Sequence, residues 1–94
     1  MVRYYNNNNV FEIWTDGKLA TYIVNTNNFS VTANTPKTLT SFDSKYSPAY
    51  VVGIKNINNY AKTAVVGDGK VEIISTDTNG YMWGTATVQL KNPL

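Results

Sequence analysis

The chain has 94 residues, of which 43% are hydrophobic, and its eight basic and six acidic side chains leave a net charge of +2. That length allows one domain with one core, and the scattered lysines do not form the concentrated basic face that nucleic acid requires. The sequence has neither histidine nor cysteine, which excludes disulfides, thiolate chemistry and the commonest general base and metal ligand. No apolar run approaches the roughly 18 residues of a membrane-spanning helix.

The N-terminal part of the chain predicts a flexible segment followed by a hairpin. Residues 1–9, which include the asparagine run Asn6 to Asn9, are expected to be a flexible lead-in to a single domain that covers residues 1–94. Val10 to Trp14 and Leu19 to Val24 flank Asp16-Gly17. Because Asp-Gly tolerates the positive φ angles of tight turns, this stretch predicts a β-hairpin.

The middle of the chain predicts three short strands. Phe29 to Asn34 alternates apolar and polar residues, as a half-buried strand does. Pro36 then ends this strand or places it at a sheet edge. Thr38 to Phe42 is expected to be a further short strand, and the apolar run Ala49 to Ile54 predicts another after an intervening loop.

The C-terminal part predicts a second hairpin and a closing strand. Tyr60 to Val66 and Val71 to Ser75 flank the turn sequence Gly67-Asp68-Gly69, and Asp77 to Gly80 has the composition of a third turn. Tyr81 to Leu90 alternates and predicts the last strand. Seven or eight short strands with frequent turns indicate an all-β protein, a small antiparallel β-sandwich or jelly-roll-like barrel.

The polar residues do not assemble into a recognisable catalytic motif. A hydroxyl nucleophile needs an adjacent base, and a glycosidase needs two carboxylates at a defined separation, which no spacing here favours. The Asp77 to Gly80 stretch lacks the further acids of a calcium loop, so a turn is the better interpretation. We therefore expect no enzyme activity, no cofactor and no metal site.

Aromatic side chains are the remaining candidates for function. Sugars present apolar C–H faces and hydroxyl edges, which tryptophan and tyrosine rings together with asparagine, aspartate and threonine side chains can match. The same amphipathic residues also serve protein interfaces and small cores. Trp14 and Trp83 therefore have two competing interpretations, ligand contact and burial.

The second half of the chain carries a more specific order of motifs. It reads FDSKYSPAYVVG, then YAKTAVVGDGKVEIIS, then GYMWGTATVQL. An aromatic–x–proline segment at Tyr46 to Pro48 precedes a strand at Ala49 to Gly53. A turn at Asp68 to Val71 precedes a glycine-aromatic closing strand at Gly80 to Gly84. This order resembles the C-terminal head domains of phage tail receptor-binding proteins and tail fibres, notably those of lactococcal siphophages.

The resemblance implies a small β-sandwich head that forms a homotrimer in the virion, at a phage tail tip, baseplate or fibre. Such a head binds a cell-wall or surface polysaccharide of a bacterial host without cleaving it, and it contacts other virion tail proteins. Because no helical stalk sequence precedes the head, the chain is expected to be a head alone or a piece of a longer fibre protein.

Under this hypothesis, eight residues form the expected saccharide-binding site. The stacking residues are Trp14, Tyr60, Tyr81 and Trp83, and the hydrogen-bonding residues are Asn58, Asn59, Asp77 and Asn79. The first alternative is a structural trimerisation or attachment knob that buries the aromatic residues between subunits and binds no glycan. The second is an enzyme, or a bacterial carbohydrate-binding module attached to one, which would behave as a monomer.

Overall fold

A computed structural model describes residues 3–7, 10–26, 29–57 and 62–94 of the chain. Eight strands and one short 3₁₀ turn, Ser44–Tyr46, account for its regular structure. No helix in these ranges is long and apolar enough to cross a membrane. In chain order the strands are β1 (Arg3–Asn7), β2 (Phe11–Thr15), β3 (Leu19–Asn25), β4 (Lys37–Ser41), β5 (Val52–Lys55), β6 (Lys62–Val66), β7 (Lys70–Ser75) and β8 (Trp83–Gln89).

The strands form two antiparallel sheets that pack face to face. Sheet 1 has the order β1-β2-β3-β8, and sheet 2 has the order β4-β7-β6-β5. Every neighbouring pair within each sheet is antiparallel. The predicted fold class, a small all-β sandwich, is confirmed.

Both predicted Asp-Gly hairpins are present, one between β2 and β3 and one between β6 and β7. Gly17 has φ +100° and Gly69 has φ +71°, angles that side-chain-bearing residues rarely adopt. Oδ1 of Asp16 accepts hydrogen bonds from the backbone N–H groups of Lys18 and Leu19 at 2.9 and 3.0 Å. These bonds hold the first turn in shape and fix the register of β2 against β3.

One hydrophobic core lies between the sheets, because alternate residues of each strand point inward. Tyr22, at its centre, is buried, and its hydroxyl donates to the backbone carbonyl of Tyr46 at 2.6 Å. Burial raises the pKa of the Tyr22 phenol above its ordinary value. The other fully buried large apolar side chains are Phe11, Ile13, Val24, Ile54, Val66, Val71, Ile73 and Met82.

Backbone hydrogen bonds connect the two sheets along the side where β8 of sheet 1 faces β5 of sheet 2. The carbonyl of Gln89 accepts from Ala49 N–H and the carbonyl of Trp83 accepts from Ile57 N–H, each at 2.9 Å. Between them, a Cβ atom on Gly84 would lie 2.6 Å from the carbonyl oxygen of Lys55. Glycine at this position therefore allows the two sheets to approach closely.

Four segments differ from the sequence-based expectations. The strand expected over Ala49 to Ile54 begins only at Val52 and ends at Lys55. Arg3–Asn7, expected in the flexible lead-in, form β1, because their backbone pairs with the edge of β2. The strand expected over residues 29–34 is reduced to a single bridge, Ser30 to Asn79. Its backbone bonds to Thr78 and Gly80 of the β7–β8 loop and to Ser75 at the end of β7, and Asn34 turns the chain with φ +60°. The closing strand begins at Trp83 rather than at Tyr81.

Candidate functional site

A cleft lies where two segments meet at one end of the sandwich. Residues 29–31 run beside the loop that connects β7 to β8, and Ser30 forms an antiparallel bridge with Asn79. The N–H of Val31 donates to the carbonyl of Thr78 at 3.1 Å, and the N–H of Gly80 donates to the carbonyl of Phe29 at 2.6 Å. These backbone bonds align the two walls of the cleft.

The cleft has a volume of about 410 Å³ and is open to solvent. Tyr81 lies in it 47% exposed, and Phe29, on the other segment, is partly buried. One residue with an amide side chain and two with hydroxyl side chains complete the lining. The lining residues are Phe29, Ser30, Thr78, Asn79 and Tyr81.

Side-chain hydrogen bonds within the β7–β8 loop set the shape of the cleft. Oδ1 of Asp77 accepts from Asn79 N–H and from the Ser75 hydroxyl, both at 2.9 Å. Oδ1 of Asn79 in turn accepts from Tyr81 N–H at 2.7 Å. The bond from Asn79 N–H, then that from Ser75, holds the pKa of the Asp77 carboxyl below its ordinary value. Asp77 therefore stays ionised and supports the loop through its carboxylate.

Buried polar groups fasten the same loop to the core. The Thr26 hydroxyl donates to the carbonyl of Gly80 at 2.7 Å and accepts from Met82 N–H at 2.8 Å. Oδ1 of Asn56 accepts from Trp83 N–H at 3.1 Å. Thr26 and Asn56 are both buried, so replacing either would leave backbone groups unsatisfied away from water. The cleft is therefore rigidly held from within.

The ammonium group of Lys37 contacts the Phe29 wall of the cleft. Nζ of Lys37 lies 4.9 Å from the centroid of the Phe29 ring and donates to the carbonyl of Ser30 at 2.8 Å. This geometry is a cation–π contact combined with a hydrogen bond. It holds the ring and the backbone of this wall in one arrangement.

The structure brings together only some of the eight predicted site residues. Asn79 and Tyr81 line the cleft, and Asp77 supports it from the same loop. Asn58, Asn59 and Tyr60 lie outside the described residues.

The two predicted tryptophans lie on sheet 1, apart from each other. Trp83, on β8, is opposite Asn25, whereas Trp14, on β2, is opposite Thr21, nearer the Asp16-Gly17 turn. Both are about half exposed, so each is partly buried, and each still presents part of its indole to solvent. Neither lines the cleft.

Sequence reasoning missed three residues that line the cleft, Phe29, Ser30 and Thr78, and one that supports it, Thr26. Phe29 and Ser30 were expected in a half-buried strand, and no role was predicted for Thr26. Phe29 and Thr26 act through contacts with residues 80–82, more than 50 positions away in the chain. The turn composition of Asp77 to Gly80 and the aromatic Tyr81 after it were the signals that pointed to this region.

The chemistry that this arrangement supports is binding. None of the cleft-lining residues is acidic, and no three Asp, Glu, His or Cys side chains converge within the described ranges in a way that would hold a metal ion. Aromatic faces, an amide and hydroxyls offer stacking surfaces, hydrogen-bond donors and hydrogen-bond acceptors. Such groups match an uncharged, hydroxyl-rich ligand.

Comparison of the chain with protein-family models, with curated proteins and with solved structures finds no match. The resemblance to phage receptor-binding heads therefore remains an expectation from the sequence.

Proposed function

We propose that this protein is a non-catalytic saccharide-binding domain, the host-recognition head of a phage tail. It would bind a surface polysaccharide of a bacterial host in the cleft between Phe29 and Tyr81. The observation that carries this proposal is the convergence of two aromatic rings with Ser30, Thr78 and Asn79 in that open cleft.

The composition of the cleft favours a sugar over other small ligands. A pyranose ring presents an apolar C–H face to an aromatic ring and hydroxyls to the polar groups at its edge. Tyr81 offers such a ring, and Thr78 and Asn79 precede it on the same loop. An apolar ligand would leave these polar groups unpaired, which costs binding energy.

The rigidity of the cleft favours recognition by a preformed surface. Ordering loops and side chains upon binding opposes association. Here Asp77, Thr26 and Asn56 already hold the β7–β8 loop through hydrogen bonds of 2.7 to 3.1 Å. A saccharide would therefore meet donors and stacking surfaces in place, without the cost of closing a loop.

The ionised state of the nearby carboxylate supports the proposal of binding without cleavage. Glycoside hydrolysis uses a pair of carboxyl groups, one of them protonated as a general acid. Asp77 is the acidic residue of the cleft loop, and its hydrogen bonds lower its pKa, which disfavours a protonated form. Its role in the proposal is to support Asn79 and Tyr81.

Assembly into a homotrimer within the virion is part of the same proposal. Tyr50 and Val51, adjacent in the chain, are 63% and 67% exposed. Two such side chains together cost free energy in water, and contact between subunits would remove that cost. This apolar tip, Tyr50 and Val51, lies before β5 and is separate in sequence from the cleft.

The same apolar tip favours the alternative function, a structural attachment knob that binds no glycan. In that case the exposed apolar residues would contact other subunits or other tail proteins, and the cleft would stay empty. The two functions differ in one measurable property, the response to polysaccharides.

Light scattering and a polysaccharide titration test the proposal together. Purified cell-wall polysaccharides from several low-GC bacteria are titrated into the chain while tryptophan fluorescence is recorded, since Trp83 lies two residues after Tyr81 in the chain. We expect a trimer whose signal saturates with one polysaccharide. Tyr81→Ala should weaken this binding about tenfold, the equivalent of one lost aromatic contact. Tyr50→Ala, at the apolar tip, should instead weaken the trimer in light scattering and leave the affinity of each cleft unchanged.

A trimer that responds to no polysaccharide would support the structural knob instead. A monomer would contradict the assembly and the family resemblance on which it rests.

A further inference from the structure

A second hollow lies on the outer face of sheet 1, away from the cleft. It has a volume of about 290 Å³ and is open to solvent. Trp14, on β2, is 44% exposed at its edge, and Leu19, on β3, is about half exposed. The lining residues are Trp14, Thr15, Asp16, Leu19, Thr21 and Thr87.

Two hydroxyls lie side by side in this hollow. Thr21 and Thr87 are directly opposite each other on β3 and β8, and their Oγ1 atoms are 2.9 Å apart. One hydroxyl donates to the other, so a proton of the second hydroxyl and several lone pairs stay available to a ligand. Two hydroxyl oxygens at this separation can form hydrogen bonds with two neighbouring hydroxyls of a sugar ring.

The carboxylate of Asp16 lies at the rim of the hollow. Its Oδ1 accepts from the N–H groups of Lys18 and Leu19, which fixes the carboxylate on the rigid β2–β3 turn. Hydrogen bonds from sugar hydroxyls to a carboxylate are charge-assisted and are stronger than those between neutral groups. The hollow thus combines an indole face, two hydroxyls and a fixed acceptor.

The hollow and the cleft are separate sites. Thr87 lines the hollow, and Trp83, the first residue of β8, precedes it by four positions on the way to the cleft. Extended strands rise about 3.3 Å per residue, so these two residues are about 13 Å apart along β8. No residue lines both the hollow and the cleft.

We propose that the hollow formed by Trp14, Asp16, Thr21 and Thr87 is a second saccharide-binding site, specific for a neutral sugar unit. The indole of Trp14 stacks on the C–H face of the ring, and the threonine pair and Asp16 bind its hydroxyls. Together with the cleft, it lets one domain hold two units of the same polysaccharide, which raises avidity without any new contact. This bivalency rests on the proposed function, whereas the hollow itself does not.

A sugar fits this hollow better than a second copy of the chain. An interface between copies would bury the paired hydroxyls and the Asp16 carboxylate, and desolvating them without partners costs free energy. A sugar unit supplies those partners itself.

The test is a titration of the ¹⁵N-labelled full chain, followed by two-dimensional NMR, with D-glucose, D-galactose, N-acetyl-D-glucosamine and L-rhamnose at millimolar concentrations. With at least one of these sugars, we expect saturable shifts of the Trp14 indole N–H and of the Thr21 and Thr87 amides. Trp14→Ala should weaken this binding about five- to tenfold. Thr21→Val, which keeps the side-chain shape, should weaken it about two- to fivefold.

Tyr81→Ala is the matched control and should leave the shifts at the hollow unchanged. Shifts confined to the Asn79 and Tyr81 amides would overturn the second site and leave the proposed function intact. Shifts confined to the hollow would support the second site and contradict the assignment of the cleft. The absence of shifts at both places, with every sugar, would overturn both.

Measuring the oligomeric state distinguishes a second sugar site from the remaining explanation, an interface between copies of the chain. If Trp14→Ala turns an oligomer into a monomer by light scattering, the hollow is an interface between copies, and the second site is overturned. If the oligomeric state is unchanged while the sugar-induced shifts are lost, the second site is supported.

Discussion

Gly80 and Phe29 join the two walls of the cleft through one short contact, a hydrogen bond of 2.6 Å from the N–H of Gly80 to the carbonyl oxygen of Phe29. A Cβ atom on residue 80 would lie 2.6 Å from that same oxygen and 2.8 Å from Cδ2 of the Phe29 ring. The approach of the walls therefore depends on glycine at this position.

Gly80→Ala should consequently destabilise the protein by about 2 kcal/mol, because the added methyl group forces the two segments apart. Chemical denaturation followed by circular dichroism measures this change. Gly67→Ala is the matched control, since a Cβ atom there meets only Val51 Cγ2, at 4.0 Å, and it should change stability by less than about 0.5 kcal/mol. Equal effects of the two substitutions would contradict the close contact.

Thr26→Val should cost about 1 to 3 kcal/mol of stability. Valine has nearly the shape of threonine, but without the hydroxyl the buried carbonyl of Gly80 and the N–H of Met82 lose their partner. Thermal unfolding measures the loss. Thr21→Val makes the same chemical change on the exposed face of sheet 1 and should have little effect on stability. If Thr26→Val is equally mild, Thr26 does not fasten the loop.

Protonation of Asp77 at low pH should lower the stability of the fold. Hydrogen bonds from Asn79 N–H and from the Ser75 hydroxyl hold the pKa of this carboxyl below its ordinary value of 3.8. Because the folded-state pKa is lower than the unfolded-state pKa, the stability that Asp77 contributes is present above about pH 4 and is lost as pH falls through the folded-state value. Asp77→Asn should therefore flatten the acid part of the stability curve, measured by denaturant unfolding at successive pH values.

Asp16 and Asp68 show how much of the acid dependence belongs to Asp77. Asp16, whose pKa is also lowered by backbone N–H groups, acts in the same direction, so Asp77→Asn removes only part of the acid dependence. Asp68 forms an exposed ion pair with Lys91 at 3.8 Å, and such pairs contribute little. A curve for Asp68→Asn as flat as that for Asp77→Asn would argue against the assignment.

Tyr22→Phe should cost about 1 kcal/mol, because the bond from the Tyr22 hydroxyl to the carbonyl of Tyr46, 2.6 Å long, is lost from a partly buried position. Tyr50→Phe, at an exposed position, should be neutral. Burial raises the pKa of the Tyr22 phenol, so the stability tied to its neutral form is complete below about pH 10 and is lost as pH rises towards the folded-state value. Near-ultraviolet absorbance during alkaline titration should show one tyrosine that ionises only as the protein unfolds. Ionisation of every tyrosine before unfolding would contradict this burial.

The strands and hairpins could be predicted from local patterns in the sequence. Alternation over Tyr81 to Leu90 correctly separates inward from outward residues within β8, because side chains point to opposite faces with a period of two. The Asp-Gly pairs marked both tight turns, because few other residues reach the φ angles found at Gly17 and Gly69. These features depend on neighbours in the chain.

Only part of the candidate site could be predicted from the sequence. The turn composition around Asp77 and Asn79 directed attention to this loop, and Tyr81, expected to stack on a ligand, lines the cleft. Trp14 and Trp83, grouped with them from the sequence, lie on sheet 1 outside the cleft. Aromatic content predicts that stacking surfaces exist, but not which of them lie together.

The sequence by itself determined the all-β class, the two Asp-Gly hairpin turns and the inward or outward direction of the residues of β8, since each depends on φ preferences or on a two-residue period. Only the tertiary structure decided that Phe29 meets Gly80, that Thr26 fastens the β7–β8 loop, and that Thr21 and Thr87 share a hydrogen bond. These pairs are 50 or more positions apart in the chain. Their contacts depend on strand order and on sheet packing, and these minimise the free energy of the whole core rather than of any one segment.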